Sequence, residues 1–279
     1  MHLVRIGTMT ASLGPLALNG PLASERGAFA RFRRHVDIAG KRILEIGGCL
    51  PESWTNAARQ WHSVDPLNPR DQMPTGHVMR HRGVAESLPP GVGVVDAVFA
   101  CDSFQHVTDV AAVYAECSRI LKPGGIVYAN FGPVWSAPDG AHLENIVAQG
   151  RRWDFWSGQL LPSWSHLLLP PDRMRYLATR LLGDEVGSAV ATYIQASTWI
   201  NRTTLRRHLE APSLARFETV SLRGCQKFGY RSRPVAAPAD VHELHSEAEV
   251  ILRCREKFGL TENELRVRDL EIVVQKPHG

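Results

Sequence analysis

A short apolar run that stops at two glycines constrains this chain most. Arg42 to Ile46 reads RILEI and is followed at once by Gly47 and Gly48. Such a run is a buried strand, and glycines at its end allow a sharp turn and close approach of the backbone to a ligand. A helix is expected next, over Pro51 to Arg59, with proline in its first turn. Trp61 to Val64 reads as a second strand, closed by Asp65 twenty residues after Glu45. Val94 to Ala100 (VVDAVFA) is a further strand behind a Pro-Gly signal. Val110 to Leu121 has helical spacing, with Val113, Ala115, Cys117, Ile120 and Leu121 as its buried face, and Lys122 to Gly125 (KPGG) stops it. Ile126 to Phe131 is the next strand. Strand and helix alternating in this rhythm predict right-handed βαβ units and a parallel sheet, an α/β fold of Rossmann-like type. Ligands of such sheets bind at the carboxyl ends of the strands, so the loops after each strand are where chemistry is expected.

The second half changes character. From Gly132 to Trp199 the chain is rich in Trp, Pro and Gly, with Trp135, Trp153, Trp156 and Trp164. A structureless loop of that length is improbable, so this stretch is read as a partly helical insertion over the sheet edge. Asn201 to Leu209 follows as a helix capped by its threonines, Phe217 to Leu222 as a strand, Val241 to Leu252 as a helix and Asp269 to Val274 as a final strand. The expected organisation is one domain over 1–279, with a core at 36–131 and 200–279 and a substrate lid at 132–199.

Composition excludes several classes. At 279 residues, 44% hydrophobic and 22% charged, the chain can bury a sizeable core in the manner of a globular enzyme. Its net charge of +4 is spread over short arginine groups such as Arg33-Arg34 and Arg206-Arg207, which makes no stripe for nucleic acid. Five cysteines without a C-x-x-C pair point to reduced thiols and a cytoplasmic protein. No apolar run reaches the roughly 18 residues of a membrane span, and Met1 to Asn19 lacks the apolar core of a signal peptide. No nucleic-acid or membrane partner is expected; a homodimer is left open.

Three more segments complete the pattern: Gly83-Val84-Ala85-Glu86-Ser87-Leu88-Pro89, Asp96-Ala97-Val98-Phe99 followed by Asp102 to His106, and Leu121 to Gly125. In this order and spacing, the segments resemble the class I S-adenosylmethionine-dependent methyltransferases, particularly the type 11-like group. The resemblance covers Lys41 to Phe131 closely and the chain from Asn201 onward more loosely. It implies a mostly parallel seven-stranded sheet with helices on both faces and a helical lid insertion after the fifth strand. It also implies S-adenosylmethionine as cofactor. By resemblance, Glu45, Gly47 and Gly48 cradle the amino acid end of that cofactor and Asp65 holds the ribose. Ala85 and Glu86 lie against adenine, and Phe99 to Ser103, with Cys101, Asp102 and Ser103, runs beneath the sulfonium.

Two positions depart from the family's pattern. Cys49 stands where a second glycine is usual, so its side chain must point away from the cofactor or the turn must be wider. Val84 replaces a common aspartate, leaving adenine to backbone groups near Ala85. Asp65 has a plainer reading as the cap of the turn at Asp65-Pro66. An NAD site would want G-x-G-x-x-G, which the segment from Gly47 to Glu52 does not supply, and Pro51 removes an N–H that a pyrophosphate could use.

Methyl transfer is an in-line displacement governed by orientation, and a base is needed only for a poorly acidic acceptor. His142, soon after the fifth strand, is the first candidate base and His166 the second; Tyr193 is a candidate donor. His106, in Gln105-His106-Val107-Thr108-Asp109, is read as a contact at the start of a helix. The spacing of His142, His166, Asp139 and Asp102 matches no metal motif, so no metal is expected. The function expected is methyl transfer to a small-molecule O, N or C nucleophile. The alternatives are a methyltransferase-fold protein that binds the cofactor without catalysis, and a nucleotide-dependent oxidoreductase.

Overall fold

The computed structural model describes residues 16–18, 24–69, 76–226 and 235–278. Most of the Met1 to Asn19 stretch, considered above as a leader, lies outside the described residues. In chain order the strands are β1 (Ala17–Leu18), β2 (Arg42–Ile46), β3 (Gln60–Asp65), β4 (Val78–Arg82), β5 (Val95–Cys101), β6 (Leu121–Phe131), β7 (Ile146–Ala148), β8 (Arg151–Trp153), β9 (Glu218–Cys225) and β10 (Asp269–Gln275). The helices are α1 (Glu25–His35), α2 (Glu52–Thr55), α3 (Val110–Ile120), α4 (Ser165–Leu168), α5 (Pro171–Leu182), α6 (Asp184–Ala196), α7 (Leu205–Leu214), α8 (Glu247–Phe258) and α9 (Glu262–Arg266).

The main sheet runs β1-β9-β10-β6-β5-β2-β3-β4. It is the expected seven strands in mostly parallel array; the two-residue β1 adds an eighth at one edge. Only β10 runs against its neighbours, β6 and β9. The carboxyl ends of β2, β3, β5 and β6 therefore share one rim, and the start of β10 joins them, because Leu270 pairs with Phe131.

Helices cover both faces. On one face α1 packs Ala28, Phe29 and Phe32 into a core with Ile43, Trp61, Phe99 and Tyr128. The sequence reading does not find α1, since only those three positions of ERGAFARFRRH are buried and the remainder is charged or small. On the other face α3 and α7 bury Val113, Tyr114, Cys117, Leu205 and Leu209 against Leu44, Val98 and Val127. Each such fully buried aliphatic or aromatic side chain contributes about 1.5–3 kcal/mol of transfer free energy.

Several element ends differ from expectation for identifiable reasons. The helix after the glycine turn is only α2, one turn long. The KPGG segment lies within β6 and loops out there: Val95 pairs with Leu121 but Ala97 already pairs with Ile126. α7 is not capped by its threonines. The Thr204 side chain makes no cap bond, and Ser136 Oγ, sixty-nine residues earlier in the chain, accepts the Leu205 N–H at 3.0 Å. The helix expected over Val241 to Leu252 begins later, at Glu247, because Ser246 Oγ accepts the Glu249 N–H and sets its start.

The insertion after β6 has a core of its own. Trp164, Leu177, Val186 and Val190 from this segment pack with Val241, Ile251, Cys254 and Leu265 from the tail. β7 and β8 form a hairpin through Gln149 and Gly150, both at positive φ (53° and 69°), the backbone of a two-residue hairpin turn.

Candidate active site

The rim of the sheet carries the residues singled out by sequence. Gly47 has φ +76°, and a Cβ there would fall 2.3 Å from the Cβ of Ser103. Its lack of a side chain thus lets the β2 turn close against the loop after β5, where Ser103 Oγ donates to the Ile46 carbonyl at 2.8 Å. Gly48, at φ +137°, is different: among the described residues, its chain neighbours aside, only Glu45 Oε1, at 3.5 Å, lies within 4 Å of where its Cβ would be. That is the open cradle expected of a ligand-binding turn. Glu45 itself faces inward. Its carboxylate is buried and accepts the Leu50 N–H through both oxygens (3.0 and 2.9 Å) and the Trp61 indole N–H at 2.5 Å. Burial pushes its pKa up to about 7, against those hydrogen bonds. Glu45 braces the turn. Cys49 is half-buried with its Sγ 3.9 Å from the Leu50 carbonyl oxygen.

At the end of β3, Asp65 Oδ1 accepts the Leu67 N–H at 2.6 Å, so it does form the Asp65-Pro66 turn. Among the described residues Oδ2 has no hydrogen-bond partner, and the side chain is half-exposed at the rim. Ala85 is buried, while Glu86 accepts from the Thr108 N–H and Thr108 Oγ1, which fixes the approach to α3. Asp109 then caps α3, accepting from Ala111 and Ala112 N–H at 2.9 and 3.1 Å. Val84 is 46% exposed. After β5, Asp102 adopts φ +49° and donates its N–H to the Asn130 carbonyl at 2.8 Å. Its side chain lies 3.7 Å from the Cys101 thiol, and burial raises the pKa of both groups.

The rim beside β6 and β10 also contains residues that sequence reasoning did not single out. Arg268, just before β10, is ion-paired to Asp139 at 2.9 Å and Asp269 at 2.5 Å, and all three are largely buried. Burial pushes the Asp269 carboxyl up to about 7; Arg268 opposes this, and Asp139 and Asp102 add to it. Asp139 and Arg268 are 129 residues apart in sequence, so no local pattern could have joined them. His142 is buried close by, with its Nε2 3.4 Å from Glu144 Oε2. Tyr193 does not point a free hydroxyl at the rim; it donates to the His142 carbonyl at 3.0 Å. His166 departs from its proposed role as a base: Nε2 is bound to the Trp135 carbonyl at 2.8 Å, and burial pushes its pKa down to about 4. It is a satisfied histidine of the insertion's core. His106, read as a contact at a helix start, instead donates Nδ1–H to the Trp199 carbonyl at 2.6 Å, ninety-three residues along the chain and between helices.

The glycine turn, the rim carboxylates and the sheet order define a class. They are the features of the class I S-adenosylmethionine-dependent methyltransferases, and similarity to known proteins points the same way. A family described as "Methyltransferase domain" matches residues 48–129. Among curated proteins, a ubiquinone biosynthesis O-methyltransferase of Xanthomonas oryzae pv. oryzae is 25% identical over 64% of this chain and 77% of its own. Another of the same name, from Chromobacterium violaceum, is 33% identical over 34% of this chain and 46% of its own. Among solved structures, an S-adenosylmethionine-dependent methyltransferase of Mesorhizobium loti overlays with a TM-score of 0.44 at 17% identity. That overlay covers 88% of this chain and 96% of that one. The open cradle at Gly48 fits the cofactor's amino acid end. No helix among the described residues is long and apolar enough to cross a membrane.

Proposed function

We propose that this methyltransferase modifies an oxygen of a small molecule, in the cytoplasm, with the donor held along the ends of β2, β3 and β5. Bound S-adenosylmethionine supplies an electrophilic methyl on a sulfonium; the chain's part is to bind, orient and exclude water. Gly47 and Gly48 shape the turn for the amino acid end, and Glu45 keeps that turn closed from within. Asp65, through Oδ2, accepts from the ribose hydroxyls. Ala85 and Glu86 border adenine, and Cys101, Asp102 and Ser103 underlie the sulfonium, where the Asp102 carboxylate complements its positive charge. The insertion 132–199, packed with the tail, walls the acceptor, and His142 faces it.

The observation that carries this reading is the meeting of an open glycine cradle and a buried Asp-Arg-His cluster on one rim. Support for oxygen as the acceptor atom comes from the O-methyltransferase names of the relatives. Five free thiols suit a reducing compartment.

Calorimetry with S-adenosylhomocysteine tests the donor side. Asp65→Ala should weaken binding by about 1.5–3 kcal/mol, roughly ten- to a hundredfold. Asp65→Asn keeps an acceptor for the Leu67 N–H and so preserves the turn; it should still bind clearly more weakly than the parent. Unchanged affinity in both variants would reduce Asp65 to a turn residue.

A further inference from the structure

The outer edge of the sheet carries a buried polar chain that takes no part in donor binding. Among the described residues β4 pairs only with β3, in parallel register. Trp61 donates its N–H to the His77 carbonyl and Gly83 donates to the Asp65 carbonyl, so the odd-numbered residues between them bond inward. Backbone direction alternates along a strand, which turns the N–H groups of Arg80 and Arg82 outward at the edge. The side chains of Arg80, His81 and Arg82, with Pro89, line a groove there.

Behind the groove three side chains form a line. Arg42 sits under the turn at Pro90–Val92, where its Nη2 donates to the Val92 carbonyl at 2.9 Å. The same nitrogen lies 3.3 Å from Nε2 of His62, a fully buried histidine. His62 Nδ1 lies 2.9 Å from His81 Nε2, and the two rings stack at 5.2 Å. Arginine has only donors, so one pattern of hydrogens fits. His62 accepts from Arg42 at Nε2, carries its hydrogen on Nδ1 and gives it to His81 Nε2. His81 must then carry its own hydrogen on Nδ1, which has no partner among the described residues and is not sealed from solvent. Burial, His81 and Arg42 together push the His62 pKa down to about 4, and burial lowers that of His81, so both rings are neutral at pH 7.

We propose that this edge is a binding site for a phosphate-bearing anion, held by the Nδ1–H of His81, the Arg82 guanidinium and the outward N–H groups of β4. Every donor of the chain points the same way, from Arg42 towards the groove, and hydrogen bonds aligned in series polarise one another. A guanidinium matches phosphate through two N–H groups. Successive side chains leave opposite faces of a strand, so His81 and Arg82 approach from two sides, which suits a tetrahedral anion better than a flat carboxylate. The Arg82 side chain is exposed and makes no ion pair or hydrogen bond among the described residues; Asp65, its partner in register, is turned to the Leu67 N–H. Arg80 adds positive charge to the groove and also holds down the pKa of the Cys49 thiol against burial. His62 touches no ligand and acts as a positioning residue for His81.

Inorganic phosphate tests the site, added to the protein free of S-adenosylhomocysteine while NMR follows the histidine ring nitrogens. In the parent, His81 should be the Nδ1–H tautomer. Phosphate should shift its ring signals to saturation where chloride at equal ionic strength does not. Glycerol 3-phosphate run beside it tells an ester from the free ion, and binding of either supports the site. Arg82→Gln, at an exposed position, should weaken phosphate about tenfold or more. His62→Leu should release His81 to a mixture of tautomers and weaken phosphate severalfold; Arg82→Gln carries the test should that variant fail to fold. His62→Gln should restore both properties, because an amide accepts from Arg42 and donates to His81 as the imidazole does. An Nε2–H tautomer in the parent, signals that answer chloride as they answer phosphate, or unchanged affinity in Arg82→Gln would each overturn the site. Displacement of phosphate by S-adenosylhomocysteine would overturn it as well, by making the groove part of the donor's own site.

Discussion

Gly47→Val should weaken donor binding roughly a hundredfold while leaving the far-UV circular dichroism close to that of the parent. Two costs combine at this position. An L-residue held at φ +76° loses about 1–2 kcal/mol from contact between Cβ and the backbone. The new Cβ also lands 2.3 Å from the Ser103 Cβ, and overpacking of that kind costs about 1–3 kcal/mol. The chain can relieve the clash only by parting the β2 turn from the loop after β5. That movement breaks the Ser103 Oγ bond to the Ile46 carbonyl and spreads the two sides of the cradle. A site that must recover about 3 kcal/mol to close binds roughly a hundredfold more weakly. The collision is with the protein's own serine, not with a ligand, and a double mutant separates the two ideas. Gly47→Ala/Ser103→Gly removes the clash but keeps the strained backbone, so it should recover part of the affinity that Gly47→Ala loses. Calorimetry with S-adenosylhomocysteine reads both. Normal binding by Gly47→Val would mean that the turn does not shape the donor site.

That same turn shows how far sequence reaches. β2, β3, β5, β6 and β10 are legible because each is a short apolar run bounded by glycine, proline or a carboxylate, and burial on both faces leaves no other place for them. The glycine turn and Asp65 are legible because their spacing is set by one strand-helix-strand unit. What the residues do there is less legible. Glu45 sits in the expected position yet points inward at the Leu50 N–H and the Trp61 indole, a choice made by the packing beneath the turn. Ser136 as the cap of α7, Arg268 between Asp139 and Asp269, and Glu144 beside Trp199 are products of tertiary closure across 55 to 129 residues. No local periodicity encodes them. α1 is hidden for a different reason: three buried positions in eleven, amid arginines, are too few to raise an apolar period.

His208→Leu should raise the melting temperature at neutral pH and raise it further in acid. His208 lies on the buried face of α7, fully buried, with its ring 4.7 Å from that of Phe131. Neither ring nitrogen has a hydrogen-bond partner among the described residues. An unsatisfied buried polar group costs about 1–3 kcal/mol, and leucine removes it while filling most of the space. Burial also pushes the His208 pKa down to about 3, against 6.5 in an exposed chain. The unfolded chain therefore binds a proton that the folded one refuses, and this histidine's contribution to stability is lost as pH falls from about 6.5 towards 3. At pH 4.5 the difference amounts to roughly 3 kcal/mol, two pKa units at about 1.4 kcal/mol each. Total stability against pH is a poor readout, because Glu45 and Asp269, both raised to about 7, run the opposite way and favour the folded state as pH falls through that value. The difference between variant and parent cancels those groups. Calorimetric melts at pH 7.5 and pH 4.5 should show His208→Leu ahead by a few degrees at the higher pH and by clearly more at the lower. A gap that stays constant across that range would show that His208 is protonated in the folded protein, and so is neither dry nor unpaired.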